Sequence, residues 1–218
     1  MIHQTLANRE GAILPLIAET GGMNAMFIDT TALREQVIDD VVYSAFGSAG
    51  QRCSALRIAF LPDDTADMLI EGIKGAMDAL CVGDPALPST DMGPVIDSDA
   101  RDTLSEHLNS LDKSGRILHR PHMPDLPEGH TFFAPTLIEM KSIESLKRET
   151  FGPVLHVVRY DPDRMDKVCE KLNAKGYGLT LGIHSRLETF AKEVRAKVKV
   201  GLAHQWRGMP VIQRLIEE

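Results

Sequence analysis

Three short stretches of this chain carry residue types that can do covalent chemistry. Gly50-Gln51-Arg52-Cys53-Ser54 ends a glycine-punctuated loop just before an apolar run. A cysteine there can attack a carbonyl carbon as its thiolate, and the loop's backbone N–H groups can receive the resulting oxyanion. Glu19-Thr20-Gly21-Gly22 places a carboxylate at the end of another apolar run, next to exposed backbone. Partial desolvation makes such a carboxylate a better general base. Glu149-Thr150-Phe151-Gly152-Pro153 sets an acid and an aromatic ring before a Gly-Pro turn. That pattern suits a ligand-facing loop, the acid accepting from hydroxyls and the ring packing on a flat group. Each stretch alone also has a plainer reading: a structural cysteine, a strand-end glutamate before a turn, a loop with a packed Phe.

These stretches must be held by ordered elements. Met1 to Glu10 reads as a short helix or the end of one, and Ile13 to Ala18 as an apolar run broken by Pro15. Asn24 to Asp29 reads as a buried strand. Thr31 to Phe46 has helical periodicity, capped by Thr30 or Thr31. Gly47 to Arg52 reads as a flexible loop and Ala55 to Leu61 as a strand stopped by Pro62. Asp63 or Asp64 would cap a helix to about Leu80, and a second helix spans Asp97 to Lys113. A strand at Arg116 to Leu118 is followed by a Pro- and His-rich loop over 119–130. Phe132 to Met140 contains Pro135, which predicts an edge or bent strand. Val154 to Tyr160 and Leu179 to His184 are strands, Pro162 to Asn173 and Leu187 to Val198 helices. Alternating strands and helices predict an α/β protein with a largely parallel sheet, in one domain without an internal repeat.

Composition narrows the function. The chain has 218 residues, 43% hydrophobic and 25% charged, enough for a proper core. A formal charge of −7 argues against a general nucleic-acid-binding role. No apolar run approaches the roughly 20 residues that span a bilayer, so no membrane role is expected. Three widely spaced cysteines, Cys53, Cys81 and Cys169, make neither a disulfide framework nor a metal site and fit a reducing cytoplasm.

Taken together and in this order, Glu-x-Gly-Gly, Gly-Gln-x-Cys and Glu-x-Phe-Gly-Pro resemble the aldehyde dehydrogenase superfamily. The resemblance runs from about Ile2 to Gly201. It takes in the Val82-Gly83-Asp84-Pro85 and Met92-Gly93-Pro94-Val95-Ile96 turns, Ala134-Pro135-Thr136 and Tyr177-Gly178-Leu179-Thr180. The wording LIAETGGMNAMFID and SAFGSAGQRCSALR is similar to the pyrroline-5-carboxylate dehydrogenase domain of bifunctional proline-catabolic enzymes. The resemblance implies the three-layer open sheet of that family's catalytic domain and NAD-dependent oxidation of glutamate semialdehyde to glutamate. It implies Cys53 as nucleophile, Glu19 as general base, and Glu149 on a ribose hydroxyl of NAD. Phe151 would lie beside the nicotinamide end, Gly21 and Gly22 would keep the backbone low near the cofactor, and Ser54 would help hold the substrate's α-carboxylate. Cys81 and Cys169 match no family motif and read as structural.

The chain also departs from the family pattern. The family is roughly twice this long, and no G-x-G-x-x-G follows a strand here. The cofactor-binding domain and the asparagine of the oxyanion hole are expected to be missing, so that NAD would not be held tightly by this chain alone. Residues 1–201 read as a partial catalytic domain and residues 202–218 as a divergent tail. Two other readings follow: an inactive remnant acting as a binding or oligomerisation module, and a thiol-dependent esterase without NAD. Apolar surface left open by the missing half would favour a homo-oligomer.

Overall fold

The computed structural model describes residues 2–12, 14–16, 21–111, 114–124 and 129–200. The elements follow in chain order as α1 (Ile2–Ala7), β1 (Ala25–Ile28), α2 (Arg34–Phe46), β2 (Ile58–Pro62), α3 (Ala66–Asp78), α4 (Ser98–Ser110), β3 (Gly115–His119), β4 (Thr136–Met140), β5 (Val154–Tyr160), α5 (Met165–Asn173), β6 (Leu181–His184) and α6 (Glu188–Lys197). The six strands form one sheet in the order β3-β4-β5-β2-β1-β6, all parallel except the antiparallel edge strand β3.

Every residue of β1 and β2 is buried, which requires cover on both faces of the sheet. The connections supply it. The chain passes from β1 to β2 through α2, and from β5 to β6 through α5, in opposite directions along the sheet. Right-handed crossovers then put α2 and α5 on opposite faces. α3 packs on α2, and α6 packs on α5 and β6. The expected three-layer, largely parallel α/β architecture is what the chain forms. Its core includes Phe27 and Phe60, with ring centroids 4.7 Å apart.

Several local expectations change. Leu33, not Thr31, stands at the N-cap of α2 and gives no side-chain bond. Thr31 instead donates its hydroxyl to Asp29 and accepts from the Arg186 N–H at 3.0 Å. Neither Asp63 nor Asp64 caps α3, whose N-cap is Thr65; Asp64 accepts from the Thr30 hydroxyl. Pro135 sits just before β4, which therefore needs no N–H from it, and β4 lies inside the sheet between β3 and β5 rather than at the edge. Asp97 does cap α4, accepting from the Ala100 N–H at 2.8 Å.

Candidate active site

Parallel α/β sheets usually bind ligands beyond the carboxyl ends of their strands. Here the motif residues lie beyond the amino ends. Gly21 and Gly22 lead into β1, the cysteine loop into β2, and Glu149 to Pro153 into β5. Glu19 lies outside the described residues.

The loop between α2 and β2 is a tight turn rather than an open one. Gly47–Gly50 forms a 3-10 segment in which Ser48 and Ala49 take left-handed φ values of 56° and 51°, and Gly50 follows at 64°. L-residues adopt that region at a cost, so surrounding contacts must impose it. Gly50 also meets a close approach: a Cβ there would stand 2.1 Å from the Gly152 carbonyl oxygen. Gln51 fastens the turn to the Met92–Ile96 stretch, accepting from the Ile96 N–H at 2.8 Å and donating to the Pro94 carbonyl at 3.3 Å. Asn24, buried just before β1, donates to the Cys53 and Ala55 carbonyls at 2.7 and 2.9 Å and accepts from the Thr180 N–H at 3.1 Å. Cys53 and Ser54 are left exposed on a loop whose backbone is held from two sides. Cys81 is exposed too, whereas Cys169 is buried, and burial pushes its thiol up to about 11. The buried thiol is a packing group.

The residue that joins the motifs is Arg57, whose side chain is only 2% exposed. Its guanidinium donates from Nε and Nη2 to Oε1 of Glu149 at 3.0 and 2.8 Å. It also donates to the carbonyls of Gly50 at 2.6 Å, Gly152 at 3.3 Å and Arg52 at 3.2 Å. Burial works against its charge, while the Glu149 carboxylate beside it works in its favour. The Phe151 ring lies against the same cation, 5.1 Å from Cζ to centroid, and stays 45% exposed. Oε2 of Glu149 accepts from the Gly22 N–H at 3.0 Å. Gly21, at φ 133°, leaves the space for it, since a Cβ there would stand 2.1 Å from Oε2. Gly21 and Gly22 thus bring the backbone up to Glu149 and Asn24.

Behind Arg57 stands a histidine pair. The Arg57 carbonyl accepts from His156 Nδ1–H at 3.0 Å, so Nε2 of His156 is bare and accepts from His107 Nε2–H at 2.9 Å. Burial and the neighbouring His107 hold His156 down at about 3. A cavity of 490 Å³ opens beside Glu149, between α4 and the residues before β5, with His107, Arg148 and Thr150 in its wall.

The structure thus gathers Cys53, Ser54, Gly21, Gly22, Glu149 and Phe151 beyond the amino ends of β1, β2 and β5. Sequence reasoning missed Arg57, Asn24 and His156. The signal was there: each is a polar side chain inside an apolar run, and a buried polar group requires partners.

Among the described residues, no helix is long and apolar enough to cross a membrane. The bifunctional protein PutA of Klebsiella aerogenes is 46% identical to this chain over 217 residues, covering 96% of the chain and 16% of PutA. A crystal structure of bifunctional proline utilization A superposes with a TM-score of 0.86 at 48% identity, over 92% of this chain and 20% of that one. A 1-pyrroline-5-carboxylate dehydrogenase from Thermus with bound NAD superposes at 0.75 with 30% identity, over 84% of this chain and 35% of that one. The chain therefore spans only a small part of these relatives. The family model for aldehyde dehydrogenases matches residues 1–214, and the chain belongs to the aldehyde dehydrogenase family.

Proposed function

We propose that this chain carries the nucleophile-bearing part of an NAD-dependent oxidation of glutamate semialdehyde, the open form of pyrroline-5-carboxylate, to glutamate. One observation supports it most: the loop with the exposed Cys53 and the loop with Glu149 and Phe151 are fastened to one buried guanidinium. The kinship to PutA and to a pyrroline-5-carboxylate dehydrogenase supports the substrate class.

The residues fit a nicotinamide nucleotide. Glu149 offers lone pairs for ribose hydroxyls, and the half-exposed Phe151 ring offers a flat apolar face. NAD, when bound, accepts the hydride. The Cys53 thiolate forms an Sγ–C bond to the aldehyde carbon, and the carbonyl electrons move onto oxygen. The loop backbone shares in holding that oxyanion. Loss of hydride re-forms the carbonyl as a thioester. Glu19 takes the proton of an attacking water, the C–S bond breaks, and Cys53 leaves as thiolate with glutamate as product. Ser54, beside the nucleophile, donates to the substrate's α-carboxylate. Tight NAD binding needs a dinucleotide-binding partner domain. The reading includes a cytoplasmic setting, consistent with three free thiols, and a homo-oligomer, consistent with exposed Leu14, Leu16 and Ile96.

The test is to mix the purified chain with NAD and glutamate semialdehyde and follow NADH absorbance. NADH formation that disappears in Cys53→Ala supports the reading. Formation that survives the substitution overturns it, and Cys53-dependent ester hydrolysis without NADH points to the esterase chemistry instead.

A further inference from the structure

We infer that Arg57 is a positioning residue that sets the nucleophile loop and the cofactor loop in register with each other. The inference deepens the reading above and rests on it for its NAD arm. Five donated hydrogen bonds from one guanidinium reach two chain segments far apart in sequence. On the nucleophile side they end on the carbonyls of Gly50 and Arg52, which bracket Gln51 and directly precede Cys53. On the cofactor side they end on Oε1 of Glu149 and the carbonyl of Gly152. Arg57 itself cannot drift. Its N–H donates to the Asn24 carbonyl at 3.0 Å, and its carbonyl accepts from both the backbone N–H and Nδ1–H of His156.

The planar fork is what allows this. A lysine ammonium has three donors and no plane, so it can hold at most three of the five contacts. With Oε1 taken by Arg57 and Oε2 by the Gly22 N–H, the Glu149 carboxylate has one orientation before any ligand arrives. Hydride transfer needs the cofactor ring and the carbon on Cys53 aligned, and a misplacement of about 1 Å can cost about a hundredfold. Arg57 touches neither; it fixes the distance between the two loops that do.

The experiment compares the full chain with Arg57→Lys, Arg57→Gln and Glu149→Gln by two measurements. The first is amide hydrogen exchange without ligand. Arg57→Gln is expected to speed exchange together in residues 48–56 and 149–154, with residues 29–31 unchanged. Glu149→Gln should loosen 149–154 alone, and Arg57→Lys should fall between wild type and Arg57→Gln in both segments. The second is NAD binding by titration calorimetry, where Arg57→Gln should weaken binding, with partial recovery in Arg57→Lys. A folded Arg57→Gln chain in which only one segment loosens, or which binds NAD as wild type does, overturns the inference. If the wild-type chain itself binds no NAD, the cofactor reading fails at this chain, while the exchange pattern still decides the role of Arg57. If Arg57→Gln does not fold, Arg57→Lys decides: paired loosening of the two segments supports the role, and uniform loosening of the whole sheet contradicts it.

Discussion

The two ends of the parallel sheet are built differently. At the carboxyl ends, polar side chains close on their immediate surroundings. Tyr160 donates its hydroxyl to the Ile28 carbonyl at 2.7 Å, and Asp29 accepts from the Thr31 N–H at 3.3 Å and from the Ser185 hydroxyl at 2.9 Å. These contacts finish β1, β5 and β6 by tying their ends to neighbouring chain. At the amino ends the backbone is bent into left-handed turns, a charged pair is buried, and a thiol and an aromatic ring are left facing outward. Strain and buried charge are tolerated where the surrounding structure enforces them, and they cluster at sites that do chemistry. The difference supports the proposal that chemistry takes place at the amino ends of the sheet, opposite to the common arrangement.

If that contrast is right, substitutions at the amino edge should disturb stability and chemistry together, and those at the carboxyl edge stability alone. The largest effect is expected from Arg57→Gln. It strands the Glu149 carboxylate and should cost about 3–5 kcal/mol in urea denaturation, with loss of NADH formation. Acidification comes next. The folded chain holds His156 at about 3, below its ordinary 6.5, so its neutral form contributes stability that is complete above pH 6.5. That stability should fall away as the pH drops through 6.5 towards 3, at roughly 1.4 kcal/mol per pH unit. A urea midpoint that does not move between pH 7 and pH 5 would contradict it.

A smaller effect is expected at the opposite edge. Asp29→Ala removes an acceptor of several hydrogen bonds and should cost about 1–3 kcal/mol. Alkylation of Cys53 by iodoacetamide, followed by peptide mass spectrometry with Cys81 as internal reference, should not change in that variant. A changed Cys53 rate would mean that the two edges are coupled and the contrast is wrong. The smallest stability effect belongs to Cys53→Ala. An exposed side chain should move stability by no more than about 0.5 kcal/mol, while thermal unfolding and NADH assays run side by side would show turnover gone.

Much of this could be read from the sequence, and what could not has a physical pattern. Strand and helix periods locate β1, β2, β5 and α4 to within a few residues, because apolar patterning is local. The motif order singles out Cys53, Glu149 and Phe151, and the fold brings their two loops onto Arg57. Capping was legible at Asp97, whose partner is three residues away, and misread at Thr31 and Asp64, whose bonds run to Ser185 and Arg186 and to Thr30 across the fold. Pro135 predicts an edge or bent strand, but a missing N–H does not say which strands sit alongside, and β4 begins one residue later inside the sheet. Arg57 was invisible as a partner because Glu149 lies 92 positions away. An arginine inside an apolar run does announce that some such partner exists.

The most direct test is to quench the chain with acid during reaction with NAD and glutamate semialdehyde and search its peptides for the acyl group. A glutamyl thioester on Cys53 is expected in wild type and should be absent in Cys53→Ala. NADH formation with Cys53 unmodified, or an acyl group on Cys81 instead, would contradict it.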